Sequence, residues 1–255
     1  MSKIYKKNGF LIKTFQSKEL VKKLRKIVKK HFNKKEKYYI NLPRKKFSKI
    51  ALKCQEEINK SNFIEKFHLT EKKTIKELVK NEIPLYSNSG YLRVVRPKSK
   101  QEINSSENLG WHRETFYSKR KFIKSATNIW LPILNTRKEN MLQYIPNSHK
   151  IPDKKIIRRR VRVKDYKIKK NSAEHKLGYV YAPKKIKKGV NLNKKTKFVL
   201  KTNQYVAFSA MLIHGNGENN TNKIRFAYNF GLLAKNKLKN QSRRLDSRNH
   251  EYIEF

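Results

Sequence analysis

The strongest constraint on the fold is a series of short apolar segments in the second part of the chain, separated by polar and turn residues. These segments are residues 91–95, 111–116, 126–134, 141–145, 205–210 and 225–233. Short segments of this composition, repeated with turn signals between them, are typical of strands in an all-β sandwich or barrel. We therefore expect a β core between residues 89 and 233.

The first 80 residues have a different pattern and are predicted to be mainly helical. A short apolar segment, residues 9–15, precedes Ser17, a favourable N-cap residue, and Glu19 lies where a first helical turn favours a negative charge. The apolar residues that follow have helical spacing: Leu20, Val21, Leu24, Ile27 and Val28. Residues 47–58 and 63–79 are predicted as further helices. The expected class is an all-β core with flanking helices, that is, α+β.

The domain organisation is predicted to be a single domain of residues 1–255, a length that β-rich folds often reach as one unit. Residues 153–203 form a long basic segment without clear elements, and we interpret it as an insertion, either a lid or partly disordered. Residues 235–255 are expected to form a polar surface tail. The lone Cys54 excludes an intramolecular disulfide framework and a cysteine-rich zinc site.

The single cysteine gives information on the cellular compartment, and the lengths of the apolar runs give information on membrane spans. One cysteine and no recognisable signal peptide indicate a reducing cytoplasm. No apolar stretch approaches the roughly 20 residues of a membrane span, so we expect none. The oligomeric state is left open by the sequence.

The formal net charge of +45 raises the possibility of a nucleic-acid or polyanion partner. However, basic residues are spread along almost the whole chain, and lysine, asparagine and isoleucine are all abundant, as AT-rich coding also produces. A solvated, lysine-covered surface is the favoured interpretation, because charge alone supports non-specific binding only. No helix-turn-helix or RRM signature is visible, so no specific nucleic acid is expected. A non-enzymatic polyanion binder is kept as an alternative.

A potential metal-ligand pair lies in the segment Trp111-His112-Arg113-Glu114. Residues i and i+2 of a strand point to the same face, so His112 and Glu114 can bind one metal, and His214 can complete the set from a distant strand. Two histidines and one carboxylate with open coordination positions are typical of non-haem Fe(II) oxygenases. Each piece is weak alone, because a His-x-Glu triplet occurs by chance and a lone histidine is more often structural.

Arg225 adds a carboxylate-binding group at an informative distance after His214. The turn-rich residues 215–220 follow the histidine, and the chain then returns as a predicted strand, so a hairpin would hold Arg225 close to His214. The planar guanidinium group binds carboxylates with two parallel hydrogen bonds. In so basic a chain, the position of this arginine is more informative than its identity.

Together these segments resemble the phytanoyl-CoA dioxygenase-like family of Fe(II)/2-oxoglutarate oxygenases. The resemblance rests on the strand before Pro97, His112-Arg113-Glu114, Asn128-Ile129-Trp130-Leu131-Pro132, Pro146-Asn147-Ser148-His149, His214 and Arg225. The opening residues 9–12 and 17–20 are also similar to the start of the family pattern. Within the family, residues 111–117 look most like the branch found in bacterial surface-carbohydrate gene clusters.

The resemblance implies a double-stranded β-helix, the jelly-roll or cupin-like fold. It implies that His112, Glu114 and His214 bind Fe(II), and that dioxygen takes an open coordination position. It also implies that 2-oxoglutarate is the co-substrate and that Arg225 clamps its far carboxylate.

Further pocket residues follow from the same resemblance and from the predicted strand positions. Asn128 or Trp130 would line the 2-oxoglutarate pocket. The candidates to bind a polyol substrate lie near the expected mouth of the site: Thr115, Tyr117 and Tyr91. Taken alone, each of them is better explained as an ordinary strand residue. A basic insertion over the site favours an anionic substrate, such as a nucleotide-linked or phosphorylated sugar.

Two residues depart from the family pattern. Glu114 stands where aspartate is usual, and its extra methylene moves the carboxylate by roughly 1.5 Å, so we expect a functional but re-aimed site. Asn147 replaces the usual glycine of a turn, and asparagine tolerates the left-handed conformation that such a turn needs. An inactive jelly-roll homologue, with Glu114 as the altered residue, therefore stays an alternative to an active hydroxylase.

Overall fold

The computed structural model of the chain describes residues 3–97, 110–117, 121–160, 168–169, 171–179, 184–238 and 251–255. Its helices are α1 (Lys3–Asn8), α2 (Lys18–His31), α3 (Glu36–Ile40), α4 (Arg44–Lys60), α5 (Phe63–Thr70), α6 (Lys72–Val79) and α7 (Ala173–Lys176). None of the described helices is long and apolar enough to cross a membrane.

The strands form three antiparallel sheets. They are β1 (Phe10–Thr14), β2 (Pro84–Ser87), β3 (Tyr91–Val95), β4 (Thr127–Leu134), β5 (Leu142–Tyr144), β6 (Ile157–Arg160), β7 (Lys184–Lys188), β8 (Thr196–Lys197), β9 (Gln204–Ser209), β10 (His214–Asn216), β11 (Arg225–Ala234) and β12 (Tyr252–Ile253). The major sheet has the order β1-β9-β4-β11-β2-β12, with β3 also paired to β11. The minor sheet has the order β10-β5-β8, and β6 pairs with β7 in a two-stranded ribbon.

Helix α2 begins and packs as its sequence predicts. The Ser17 hydroxyl accepts a hydrogen bond from the Leu20 N–H at 3.3 Å and so caps the helix. Its apolar residues Leu20, Val21, Leu24 and Val28 are buried. From the same helix, the Arg25 guanidinium donates to the Ile133 carbonyl of β4 at 3.0 Å. Helix α2 therefore covers one face of the major sheet.

The predicted helix over residues 63–79 is wrong as a single element, because it is broken at Glu71 into α5 and α6. Glu71 has φ −104° and ψ 18° and is only 1% exposed. Its carboxylate accepts hydrogen bonds from the Gln16 N–H at 2.8 Å and from the Tyr205 hydroxyl at 2.9 Å. A buried carboxylate needs such hydrogen-bond partners. The helix is interrupted at the residue whose side chain makes these contacts.

The two faces of the major sheet have different neighbours, as the alternation of side chains along a strand requires. On β4, Ile129, Leu131 and Ile133 pack with residues of α2, α4 and α5 in the largest apolar cluster. The alternate residue Trp130 packs instead with Met141 and Leu142 near the minor sheet. The helices therefore cover the outer face of the major sheet, and a space lies between its inner face and the minor sheet. This arrangement confirms the predicted β core with flanking helices and its double-stranded β-helix form.

Residues 153–203 contain more regular structure than the sequence indicates. The described part includes β6, β7, α7 and β8, so the prediction of a segment without clear elements is wrong there. Gly189 permits the ribbon to approach the preceding chain, since a Cβ atom at its φ of +87° would lie 1.8 Å from the Lys155 carbonyl oxygen. Residues 161–167, 170 and 180–183 of this segment lie outside the described residues.

The end of the chain also differs from its prediction. The polar surface tail expected from residue 235 finishes in β12, which pairs with β2 through Tyr252 and Ser87. Tyr252 is buried against Phe122 and Leu85. The last residues therefore extend the major sheet, while residues 239–250 lie outside the described part of the tail.

Candidate metal centre

Two backbone hydrogen bonds join the segments that carry the two histidines. The His112 N–H donates to the His214 carbonyl at 2.9 Å, and the His214 N–H donates to the His112 carbonyl at 2.8 Å. His214 begins β10 of the minor sheet, and His112 pairs with it as an isolated bridge. This pairing places the rings beside each other, with ring centres 4.4 Å apart.

The predicted strand over residues 111–116 is wrong beyond this bridge. A 3₁₀ turn, Glu114–Phe116, follows directly. Arg113 retains extended dihedrals, φ −135° and ψ 161°, so the side chains of His112 and Glu114 still project to the same side. The conformation of one residue, instead of a full strand, brings the first two candidate ligands together.

The three candidate ligands His112, Glu114 and His214 converge. One ligand atom from each lies within 4.8 Å of those of the other two, and the His214 Nε2 atom is 3.7 Å from Glu114 Oε1. A first-row divalent metal bound at about 2.1 Å to each donor holds neighbouring donor atoms roughly 3–4 Å apart. The donor types and the 3.7 Å separation of His214 Nε2 from Glu114 Oε1 fit such a metal.

Hydrogen bonds to the backbone leave the Nε2 atom of each histidine free to bind. His112 Nδ1 lies 2.7 Å from the Gly110 carbonyl oxygen, and His214 Nδ1 lies 2.9 Å from that of Leu212. Because a carbonyl oxygen only accepts, each Nδ1 carries the hydrogen and each Nε2 presents a lone pair. Burial lowers the pKa of both imidazoles, and for His214 the neighbouring His112 lowers it further. Burial therefore favours the neutral form of both rings, which is the form that binds a metal.

The Glu114 carboxylate is oriented by Asn128. The Asn128 side-chain amide donates to Glu114 Oε1 at 3.0 Å. Asn128 lies on β4, on the face that looks into the space between the sheets. Asn128 is one of the two residues predicted to line the 2-oxoglutarate pocket, and the structure brings it to the carboxylate ligand.

Arg225 does not reach the site through a hairpin, so that part of the prediction is wrong. Strand β10 pairs with β5 in the minor sheet, whereas β11 pairs with β3 and β4 in the major sheet. The guanidinium of Arg225 crosses the space between the sheets and donates to Asn216 Oδ1 at 2.8 Å and to the Asn140 carbonyl at 2.6 Å. Asn216 was not predicted as a site residue. Its position two residues after His214, on the same strand face, was the available signal.

Arg225 is a buried cation that still has binding capacity. It is 0% exposed, and burial lowers the pKa of its guanidinium, with a further contribution from Arg93. Its Nε atom has no hydrogen-bond partner among the described residues, and no described carboxylate pairs with it. The buried Trp130 Nε1 atom likewise has no partner in the described part of the chain. Buried donors of this kind are normally satisfied, so the pocket suits an anionic ligand.

The three residues predicted at the mouth of the site lie in different surroundings. Tyr117 is nearest to the metal ligands, with its ring centre 5.6 Å from that of His112. The Thr115 hydroxyl instead donates to Asp153 Oδ1 at 3.0 Å. Tyr91 packs under the Arg93 guanidinium at 4.9 Å. Of the three, Tyr117 has the best position to contact a substrate near the metal.

The turn at Asn147 supports the segment just before His214. Asn147 has φ 60° and ψ 2°, which confirms that asparagine supplies the left-handed conformation expected in place of glycine. The next residue, Ser148, accepts a hydrogen bond from the Ile213 N–H at 2.8 Å through its hydroxyl. This contact fixes the residue immediately before His214.

Comparison with solved structures shows the same fold in several proteins, among them a non-heme monooxygenase and a protein solved with 2-oxoglutarate. EvdO2 from Micromonospora carbonacea var. aurantiaca, solved with 2-oxoglutarate, is similar over 90% of this chain and 88% of its own, with a TM-score of 0.59 and 13% identity. AviO1 from Streptomyces viridochromogenes Tue57 is similar over 91% and 92%, with a TM-score of 0.55 and 13% identity. The non-heme monooxygenase ThoJ in its apo form covers 90% and 75%, with a TM-score of 0.54 and 14% identity.

Comparison at the level of sequence identifies the family. No curated protein matches the chain. The family model described as phytanoyl-CoA dioxygenase (PhyH) matches residues 5–227, which include all the candidate ligands and Arg225. The chain therefore belongs to the phytanoyl-CoA dioxygenase family of non-haem, 2-oxoglutarate-dependent oxygenases.

Proposed function

We propose that this protein hydroxylates a small, polar, anionic metabolite, such as a nucleotide-linked or phosphorylated sugar, with iron bound by His112, Glu114 and His214. The observation that most supports the proposal is the convergence of these three donors within 4.8 Å, from segments far apart in the sequence. The single buried Cys54 suits a reducing cytoplasm, where we expect the enzyme to act.

The bound iron would supply dioxygen activation coupled to the oxidative decarboxylation of 2-oxoglutarate. The protein's own residues position and tune the reactants. The neutral imidazoles of His112 and His214 donate their Nε2 lone pairs, and Asn128 holds the Glu114 carboxylate by its hydrogen bond. Because a carboxylate is retained at position 114, we propose hydroxylation or a related oxidation. Halogenation is not proposed, because the halogenating members of the family lack that ligand.

The far carboxylate of 2-oxoglutarate is assigned to the pocket at Arg225. Its buried guanidinium offers an unpaired Nε–H, and Trp130 offers a second unpaired donor among the described residues. Asn216 holds the guanidinium in place at 2.8 Å. A carboxylate in this pocket would neutralise a buried charge that no described acidic residue pairs with, which is a favourable exchange for both groups.

An anionic substrate is supported by the charges around the site. The Arg93 guanidinium is close enough to lower the pKa of His112, His214 and Arg225. Farther out, Arg158 lies 4.3 Å above the ring of Phe116, which ends the turn that begins at Glu114. These positive groups would attract a phosphorylated substrate more than a neutral one.

The metal centre is tested by anaerobic titration of the protein with Fe(II) and 2-oxoglutarate. We expect a weak visible charge-transfer band, and we expect His112→Ala and His214→Ala to abolish it. His68→Ala is the matched control, because His68 lies on α5, where its Nδ1 bonds to the Tyr86 hydroxyl at 2.7 Å. Absence of the band in folded wild-type protein would contradict the proposal.

The substrate class is tested separately, by the turnover of neutral and phosphorylated sugars over a range of ionic strength. Electrostatic attraction is screened by salt, so turnover of the phosphorylated sugars should fall as salt rises. A rate with phosphorylated substrates that does not depend on salt would refute the anionic substrate while leaving the metal centre intact.

A further inference from the structure

Arg113 lies between two proposed metal ligands in the sequence and is completely buried. Its exposed fraction is 0%, although neighbouring residues on both sides face the proposed metal. An arginine is rarely fully buried unless it is paired and hydrogen-bonded, because its desolvation is costly. Among the described residues, Arg113 shares this complete burial with Arg225.

The Arg113 guanidinium joins three segments of the chain. Its Nη1 atom donates to the Ile151 carbonyl at 2.8 Å and to the Met211 carbonyl at 3.3 Å. Its Nε atom is 3.1 Å from Asp153 Oδ1, an ion pair. Met211 lies just before His214, and Asp153 lies at the start of the basic segment, so one side chain links both ligand-bearing segments to residues 151–153.

Asp153 binds the residues on both sides of Glu114. It pairs with Arg113, and the same Oδ1 atom accepts the Thr115 hydroxyl at 3.0 Å. In addition, the Glu114 N–H donates to the Ala210 carbonyl at 3.0 Å. The backbone of Glu114 is therefore fixed by its own N–H and by both neighbouring side chains, while its carboxylate points to the histidines.

We propose that Arg113 and Asp153 are positioning residues that fix the backbone at Glu114 and so set the geometry of the metal site. This inference rests on the proposed metal centre. Glutamate has one more rotatable bond than the aspartate usual at this position, so an accurate placement of its carboxylate depends more on a fixed backbone and on the Asn128 contact. Neither positioning residue is among the three side chains that converge on the proposed metal position.

Arg96 provides a matched control for a purely structural role. It is also buried, and its Nη1 atom donates to two backbone carbonyls, those of Ile40 at 3.2 Å and Leu42 at 2.7 Å. Its guanidinium also lies 4.8 Å above an aromatic ring, that of Phe47. These contacts parallel those of Arg113, but they involve none of the segments that carry metal ligands.

The experiment compares Arg113→Lys, Asp153→Asn and Arg96→Lys in the full chain. Metal-free protein is titrated with Co(II), whose visible spectrum reports the ligand geometry, and the thermal midpoint of each metal-free variant is measured separately. We expect Arg113→Lys and Asp153→Asn to weaken Co(II) binding about 10- to 100-fold, as the loss of supporting contacts around metal ligands commonly does, and to change the spectrum. Arg96→Lys should lower the thermal midpoint but leave the spectrum and the affinity within about twofold of the wild type.

The outcomes separate the two proposals. If both Arg113→Lys and Asp153→Asn keep the wild-type spectrum and affinity, or if Arg96→Lys weakens binding as much, the positioning role is refuted. If the folded wild-type protein itself binds no Co(II), the proposed metal centre fails. Should Arg113→Lys not fold, Asp153→Asn and Thr115→Val still test the inference, because the first removes the charge of the carboxylate and the second removes the hydroxyl that donates to it.

Discussion

Shortening the proposed carboxylate ligand is the most direct test of how this site accommodates glutamate. Glu114→Asp removes one methylene and withdraws the carboxylate by about 1.5 Å. Glu114 Oε1 now lies 3.0 Å from Asn128 Nδ2 and 3.7 Å from His214 Nε2. Withdrawal along the side-chain axis would increase these distances to as much as about 4.5 Å and about 5.2 Å, so the hydrogen bond to Asn128 would be lost.

We expect Glu114→Asp to weaken Fe(II) binding by about 10- to 100-fold. A hydrogen bond to a charged group contributes about 1.5–3 kcal/mol, and each 1.4 kcal/mol corresponds to about tenfold in affinity. Binding is measured by anaerobic Fe(II) titration in the presence of saturating 2-oxoglutarate, using the charge-transfer band. Glu57→Asp is the control, because Glu57 pairs with Lys30 on the surface and should leave binding unchanged.

A second substitution tests the length match between the two side chains. Asn128→Gln extends the amide by about the distance that Glu114→Asp withdraws the carboxylate, so the double variant should recover much of the lost affinity. Fe(II) binding by Glu114→Asp at the wild-type affinity would refute the proposed role of the glutamate length and of the Asn128 contact. This role is also refuted if the double variant is as weak as the two single losses added together.

Three further predictions concern other residues of the chain. Arg225→Met should raise the half-saturating 2-oxoglutarate concentration about 100-fold, by loss of charged hydrogen bonds, while Fe(II) binding persists; succinate production measures this, and an unchanged value contradicts the assignment. Asn147→Val should destabilise the fold by about 1–2 kcal/mol, because of its φ of 60°, whereas Asn147→Gly should be nearly neutral; thermal unfolding decides. Burial raises the pKa of Cys54 to about 12, so its alkylation at pH 9 should be slow until the protein unfolds, and rapid alkylation of folded protein would contradict its burial. The free energy of unfolding should also fall above about pH 8.5, where the thiol of the unfolded chain ionises.

Five of the six apolar segments predicted as strands in the second part of the chain form strands, because their signals are local; residues 111–116 do not. The apolar alternation of residues 126–134 and 225–233 corresponds to β4 and β11 within one residue at each end. The pairing of strands is not local, and here the prediction fails. Residues 215–220 look like a hairpin turn, yet β10 and β11 belong to different sheets, because their partners β5 and β3 lie far away in the sequence.

The ligand set was predicted from a rule that applies only in part. Alternation along a strand led to His112 and Glu114, but only Arg113 between them is extended, and Glu114 already begins a turn. The order of motifs along the chain supplied the information that local geometry did not. The role of Asp153 depends on its contact with Arg113 across the fold, and no local pattern marks it. The role of Asn216 also depends on a distant contact, with Arg225, and its position two residues after His214 was the one local signal.

The two backbone hydrogen bonds between His112 and His214 have a consequence for how the protein matures. They close a loop of about a hundred residues, and contacts between residues so distant in sequence are costly to form and arise late in folding. A growing chain has only two of its three proposed ligands, His112 and Glu114, until residue 214 has emerged from the ribosome. Uptake of iron at the proposed site would therefore follow completion of the fold, and nascent or truncated chains would be unable to start oxygen chemistry.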